Sequence, residues 1–191
     1  MERSDMLNFV AARLSKDRFE HSLRVEDLAK KLAKIWQVDE TKTSQAAILH
    51  DIGRSKSLAE SVQMLVDFGT PPDEIMQAQP VLLHAFSGSL IAKKELGIED
   101  EEILEAIAYH TVAKAGMSPL AEIIFLADIT ESERSWCGVD ILRELQKEDI
   151  KKAMFFALEE TIKWLKEQGK MVYPSAIEAR DYYAGLLNIK I

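Results

Sequence analysis

Apolar residues recur at the three- and four-residue spacing of an amphipathic helix along almost the whole chain. No segment alternates apolar and polar residues as a half-buried strand does. Only 8 of the 191 residues are glycine and 5 are proline, too few for a disordered chain or for a β protein with many turns. The sequence therefore predicts an all-α protein.

Capping residues and glycines divide this pattern into helices joined by short loops. A capping box from Asp17 to Glu20 and another from Ser57 to Glu60 each indicate a helix start. Without a repeat or a linker, we expect one domain over residues 1–191, with a C-terminal helical extension over about 140–191. The predicted helices cover about 5–14, 17–35, 39–53, 57–68, 80–96, 100–109, 118–129 and 149–168, with a last one from about 175.

Composition excludes several classes of protein. A single cysteine, Cys137, excludes an internal disulfide and a cysteine-based zinc site, and no neighbouring histidine activates it as a nucleophile. The net charge of −8 argues against nucleic-acid binding, which needs cations to neutralise phosphates. No apolar secretion signal opens the chain, and no run of roughly 18 apolar residues could span a membrane. These features predict a cytoplasmic protein that binds neither nucleic acid nor membrane.

All four histidines continue apolar stripes instead of lying on solvated faces. For example, His21 precedes Val25 by four residues, and an aspartate, Asp128, follows Ile124 by four. The side chains that we expect to face the interior are His21, His50, Asp51, His84, His110 and Asp128.

A metal centre is the chemistry that this set favours. A lone inward histidine is usually a core residue, but a buried carboxylate costs several kcal/mol unless it is paired. The sequence offers few inward-facing lysines or arginines to pair with Asp51 and Asp128. Imidazole and carboxylate donors suit iron, manganese or zinc, and six of them fit two adjacent ions better than one tetrahedral zinc.

The same residues carry a family resemblance. His-Asp ends an apolar helix in AAILHDIGR, a histidine precedes it in FEHSLRV, and an aspartate follows late in IIFLAD. This pattern resembles the HD-domain superfamily of metal-dependent phosphohydrolases, which implies an HD-domain helical bundle. The further histidines of LLHAFSG and AIAYHT, with HTVAKAGMSPLAEIIFLADITESER, are similar to the YqeK-type family. The resemblance spans roughly Phe19 to Arg180.

That resemblance implies an activity and a ligand set. The activity is hydrolysis of symmetrical dinucleoside tetraphosphate to two nucleoside diphosphates by water activated at a dinuclear centre, with iron expected and manganese, zinc or magnesium as alternatives. Asp51 would be shared between the metals. The implied ligands of one metal are His21, His50, Asp51 and Asp128, and those of the other are Asp51, His84 and His110. The expected catalytic residues are Asp51, Asp128, His84 and His110.

An acidic protein needs local groups to hold a polyphosphate. Arg54 follows Asp51 by three residues, and Arg134 follows Asp128 by six, so both are candidates to bind phosphate bidentately. Thr111, which is adjacent to His110, and Lys114 are further candidates for contacts with the substrate.

One segment departs from the family pattern. Relatives tend to have P-R-T-I-E-A-R-N, whereas residues 174–181 here read P-S-A-I-E-A-R-D, which has fewer donors and more negative charge. This difference keeps two alternatives open. The protein could be a phosphohydrolase acting on another nucleotide or phosphate ester, or a regulatory nucleotide-binding protein with little turnover.

The helix predicted over 149–168 carries more apolar residues than one stripe hides on a surface helix. Burial in the core of one chain is the first explanation, and a homodimer packed through this helix is the second. The residues concerned are Met154, Phe155, Phe156, Leu158, Ile162, Trp164 and Leu165.

Overall fold

The helical spacing of the sequence forms eleven α-helices and no strand in the computed structural model, which describes residues 2–190. The all-α prediction is confirmed. Short 3₁₀ turns over Ile52–Ser55 and Pro80–Leu82 precede the fourth and sixth helices. The α-helices are α1 (Arg3–Ala11), α2 (Lys16–Trp36), α3 (Glu40–Leu49), α4 (Leu58–Asp67), α5 (Glu74–Ala78), α6 (Leu83–Leu96), α7 (Glu101–Tyr109), α8 (Pro119–Thr130), α9 (Val139–Glu148), α10 (Ile150–Glu167) and α11 (Pro174–Leu186).

Side-chain caps explain most helix starts. Asp39 accepts hydrogen bonds from the first backbone N–H groups of α3, and Ser57 and Glu60 form the reciprocal box predicted for α4. The box predicted from Asp17 is wrong. Ser15 caps α2 instead and accepts from the backbone N–H of Arg18, so α2 begins before Asp17.

Three further elements differ from the sequence prediction. Helix α9 was not predicted, because its few apolar residues form only a narrow stripe among charged ones. Residues 80–82 form a 3₁₀ turn instead of the first turn of α6. The helix expected to run to Gly53 ends at Leu49, and His50 and Asp51 lead directly into the following 3₁₀ turn.

Helix α8 lies at the centre of the molecule. Every residue from Leu120 to Ala127 is buried, as expected of a helix that is apolar all round. Helices α2, α3, α7, α9 and α10 pack against it, while α6 packs on α7 and on the 3₁₀ turn Ile52–Ser55. This packing directs the ends of α3, α7 and α8 and the beginnings of α2 and α6 to one region.

A close backbone approach holds that region together. A Cβ atom placed on Gly53 would lie 2.0 Å from the carbonyl oxygen of His84 and 2.7 Å from the backbone nitrogen of Gly88. Only glycine therefore allows the 3₁₀ turn to lie flat against α6. This contact sets the distance between the His50–Asp51 pair and His84.

The C-terminal helices share the core of the preceding helices. Ala153, Met154 and Tyr183 belong to the same cluster of buried residues as Met6 in α1. Most of the apolar residues of α10 are buried or partly buried within the chain, although the Trp164 side chain is half exposed. The domain organisation and the homodimer remain predictions. None of the helices in residues 2–190 has the length and hydropathy needed to cross a membrane.

Candidate metal centre

Five helix ends bring the six predicted residues together. His21 lies near the start of α2 and His84 in the first turn of α6, whereas His50 and His110 cap the C-termini of α3 and α7. Asp51 follows His50, and Asp128 lies in the last turn of α8. The prediction that they face the interior is confirmed, because the four histidines and Asp51 are buried and the Asp128 side chain is only 14% exposed.

The ligand atoms of these residues form three overlapping triads. Within each triad, one nitrogen or oxygen atom of every side chain lies within 4.8 Å of the others. Neighbouring imidazole rings are 4.9–5.3 Å apart between centroids. The triads are His21–His50–Asp51, His50–His110–Asp128 and Asp51–His84–His110.

Backbone carbonyls orient three of the rings. The Nδ1 atoms of His50 and His110 lie 2.7 Å from the carbonyl oxygens of Ala47 and Ile107, and Nδ1 of His84 contacts the carbonyl oxygen of Val81. Because a carbonyl oxygen can only accept, each Nδ1 atom carries the proton. The Nε2 atoms of these rings are left pointing into the cluster, as in histidines that bind metals.

His21 is oriented by a carboxylate instead. Its Nδ1 atom lies 3.3 Å from Oε1 of Glu131, a buried residue whose Oε2 accepts from Arg24 at 2.7 Å. Glu131 is not among the residues predicted from the sequence. Its position three residues after Asp128, directly after the last residue of α8, was the available signal.

The interior of the cluster contains acceptors without donors. Nε2 of His84 lies 3.1 Å from Nε2 of His110 and 3.0 Å from Oδ1 of Asp51, and Nε2 of His21 lies 3.0 Å from Oδ1 of Asp128. Nε2 of His50 is buried without a hydrogen-bond partner, and Nε2 of His21 meets the Asp128 carboxylate. Lone pairs that face one another and face carboxylates need a cation among them, so these residues fit divalent metal ions.

Protonation agrees with this interpretation. Burial lowers the pKa of His50 to about 4, so its imidazole is neutral at neutral pH and free to bind a metal. Burial acts to raise the pKa of Asp51 and of Asp128, but the surrounding histidines, and Arg134 beside Asp128, hold both pKa values below the ordinary range of an aspartate. Both side chains are therefore carboxylates at neutral pH.

Arginines pair with both carboxylates, contrary to the expectation that few cations would reach them. Nε of Arg54 lies 2.6 Å from Oδ1 of Asp51, because the 3₁₀ turn folds it back over that side chain. Nη2 of Arg134 lies 2.7 Å from Oδ1 of Asp128. Arg18, which is not among the residues predicted from the sequence, lies 3.2 Å from Oδ2 of Asp51. Its 33-residue separation from Asp51 provides no signal in the sequence.

The other two residues predicted to contact the substrate, Thr111 and Lys114, do not pair with Asp51 or Asp128. The hydroxyl of Thr111 is buried beside His110 without a hydrogen-bond partner. Lys114 is bound by Glu105, with 2.8 Å between Nζ and Oε1, and its Nζ lies 5.0 Å from the centroid of the Tyr109 ring. The substrate contacts of Arg54, Arg134, Thr111 and Lys114 remain predictions.

The divergent C-terminal segment is held by contacts within the chain. Ser175 donates to the carbonyl oxygen of Ala113 at 2.7 Å, and Arg180 pairs with Glu159 at 2.6 Å and with Asp181. The one arginine of this segment is therefore already neutralised.

Known proteins are similar to this chain in sequence and in fold. Residues 18–133 match the family described as HD domain. The chain is 34% identical over 177 residues to a protein of Halalkalibacterium halodurans named "Bis(5'-nucleosyl)-tetraphosphatase, symmetrical", covering 93% of this chain and 94% of that protein. A Bacillus subtilis protein of the same name is 32% identical over 174 residues, which cover 91% and 93% of the two chains.

A solved structure extends the similarity to three dimensions. It is described as a "predicted HD superfamily hydrolase involved in NAD metabolism" from Clostridium acetobutylicum. It matches with a TM-score of 0.93 and 32% identity, and the match covers 97% of this chain and 98% of that one. The fold around the six clustered residues is therefore that of an HD protein.

Proposed function

The chain belongs to the HD-domain family of phosphohydrolases, and from that premise we propose that it hydrolyses symmetrical dinucleoside tetraphosphates to two nucleoside diphosphates. The family implies a divalent metal centre. The proposed centre would hold two ions, with iron as the proposed metal, and Asp51 would serve both. The proposed ligands are His21, His50, Asp51, His84, His110 and Asp128.

The observation that carries this proposal is the inward arrangement of acceptors. Four imidazoles point their Nε2 atoms at one another and at two carboxylates inside a buried cluster. A core network built for stability alone would place donors between these acceptors. Arginines neutralise the outer sides of the carboxylates, but no arginine lies in the 3.1 Å contact between the Nε2 atoms of His84 and His110.

The reaction adds one water across the central phosphoanhydride, so that one P–O bond breaks and one forms and each half leaves as a diphosphate. Two bound divalent ions supply acidification of water and neutralisation of the phosphoryl oxygens. Arg54 pairs with Asp51 and Arg134 with Asp128. From these positions either guanidinium can turn to a phosphate group and bind two of its oxygens. In a protein of net charge −8, these local cations attract the polyphosphate.

The experiment is hydrolysis of diadenosine tetraphosphate by protein loaded anaerobically with ferrous iron, compared with manganese and zinc. We expect two ADP per substrate, with neither ATP nor AMP, and loss of activity after chelation. Asp51→Asn removes the shared ligand and should lower kcat/KM by about a thousandfold or more. Asp27→Asn is the matched control, because Asp27 is exposed on α2 and pairs with Lys31 at the surface.

Release of ATP and AMP would contradict the symmetrical cleavage. Equal activity of the Asp51→Asn and Asp27→Asn proteins would contradict the proposed centre.

A second candidate is hydrolysis of another nucleotide or phosphate ester at the same centre. It is favoured by the divergent segment 174–181, whose one arginine, Arg180, pairs with Glu159 and Asp181. A panel of nucleotides and phosphate esters separates the candidates. Preference for the dinucleotide by orders of magnitude in kcat/KM would exclude this alternative.

A further inference from the structure

A groove of about 590 Å³ lies between the segment after α8 and the C-terminal half of α10. Its volume is within the range of small-molecule sites, and apolar surface dominates its walls. The residues that line the groove include Ile129, Arg134, Trp136, Glu160, Trp164 and Glu167.

The groove is continuous with the metal centre through one side chain. Arg134 lines the groove, and its guanidinium donates to the carboxylate of Asp128 at 2.7 Å and to the backbone carbonyl of Asp128 at 2.8 Å. Ile129, the next residue after Asp128, also lines it. A ligand whose phosphates meet Arg134 at the centre can therefore extend directly into the groove.

The surrounding structure holds Trp136 in place. Its Nε1–H donates to the carbonyl oxygen of Ile129 at 2.8 Å, so the only polar atom of the indole is already used. Gly138 adopts a φ of +100°, and a Cβ there would lie 3.1 Å from the Trp136 ring. A fixed indole without a free donor offers a ligand only its aromatic surface.

The opposite wall of the groove combines an aromatic side chain with acceptors. Glu160, Trp164 and Glu167 follow one another at the four- and three-residue spacing of one face of α10. The Trp164 side chain is 50% exposed, which is unusual for so large an apolar group. The two carboxylates can accept hydrogen bonds from amino groups of a base or from ribose hydroxyls.

We propose that this groove binds one nucleoside end of the substrate, with the base stacked on Trp136 and Trp164 and the adjoining phosphates on Arg134. A symmetrical dinucleotide has a nucleoside on each side of the bond that is cleaved, so each nucleoside needs its own binding site. The proposal rests on the proposed function for the identity of the substrate. Stacking on aromatic side chains tolerates any base, so it supplies affinity more than discrimination between bases.

The test uses the full-length, metal-loaded protein and two probes: a bridging-methylene analogue of diadenosine tetraphosphate, and inorganic tripolyphosphate. Trp164→Leu keeps apolar bulk but removes the aromatic ring. We expect it to weaken binding of the analogue by about tenfold, equivalent to about 1.4 kcal/mol of lost stacking, and to leave tripolyphosphate binding unchanged. Trp164→Phe should restore most of the affinity.

Ile141→Ala is the matched surface control, because Ile141 is 61% exposed on α9 and does not line the groove. Unchanged affinity of Trp164→Leu for the analogue would overturn the proposal, and so would an equal loss for both probes, which indicates damage to the centre. A change from dimer to monomer in sedimentation, with analogue affinity retained, would make the groove an interface between copies and would also overturn it.

The two proposals fail in different ways. If the wild-type protein produces ADP but Trp164→Leu binds the analogue normally, the nucleoside groove is wrong and the proposed function stands. If the wild-type protein hydrolyses no dinucleotide but its binding of the analogue depends on Trp164, the groove stands and the proposed function fails.

Discussion

At the scale of single residues, the orientation of each imidazole depends on the group behind it. Three rings use backbone carbonyls one helical turn away, and only His21 uses a side chain, Glu131. Glu131 is itself held by Arg24 at 2.7 Å and by the backbone N–H of Glu133 at 2.9 Å. A carboxylate behind a metal-binding histidine orients the ring and raises its basicity, so Glu131 is a positioning residue for His21.

Replacing Glu131 with Gln should therefore weaken metal binding at His21. The amide can still accept from Nδ1 but carries no charge, and we expect a loss of about ten- to a hundredfold in metal affinity, measured by competition with a chelator. Glu133→Gln is the control, because Glu133 also pairs with Arg24 but is 68% exposed. Equal metal affinity in the two variants would show that Glu131 only supports the fold.

At the scale of helices, Ser57 caps α4 as the sequence predicts, and side-chain caps lie at the predicted helix starts 39, 100 and 118. Capping is a local interaction within one turn, so neighbouring residues predict it. Gly53 shows what local reasoning misses. It resembles a helix stop in the sequence, but the helix ends before it, and the residue serves for close contact with α6. That contact involves His84 and Gly88, which are remote in the chain.

Gly53→Ala should consequently be more harmful than an ordinary helix substitution. Its Cβ would lie 2.0 Å from a backbone oxygen of α6, so the 3₁₀ turn and α6 must separate. We expect the free energy of unfolding to fall by about 3 kcal/mol or more, measured by urea denaturation of the metal-free protein. Gly185→Ala in α11 is the control, because a Cβ there meets nothing within 4 Å and alanine favours the helix. Similar stability of the two variants would contradict the close packing.

At the scale of the whole molecule, folding removes His50 from water and couples the centre to stability. Burial lowers the pKa of His50 to about 4 from the value of about 6.5 in an unfolded chain. The unfolded state therefore binds a proton more readily between these values. The folded metal-free protein should lose stability as the pH falls from about 6.5 towards 4, and be fully stabilised by this group above that range.

The expected loss is roughly 3 kcal/mol in the free energy of unfolding over that pH range. Urea denaturation of the metal-free protein at several pH values between 8 and 4.5 measures it. The same titration of a His50→Gln variant should show a shallower decline below pH 6.5. A wild-type stability that does not change between pH 7 and 5 would mean that His50 is not buried as a neutral ring.

The sequence by itself determined the helical class, most helix starts and the inward direction of the histidines and aspartates, because periodicity and capping are properties of neighbouring residues. Which inward side chains meet was decided by tertiary packing. Arg18 reaches Asp51 across 33 residues, and Glu131 reaches His21 across 110. The groove beside Asp128 likewise exists only because α10 folds back onto the segment after α8. Contacts between remote residues depend on the path of the chain, which local spacing does not encode.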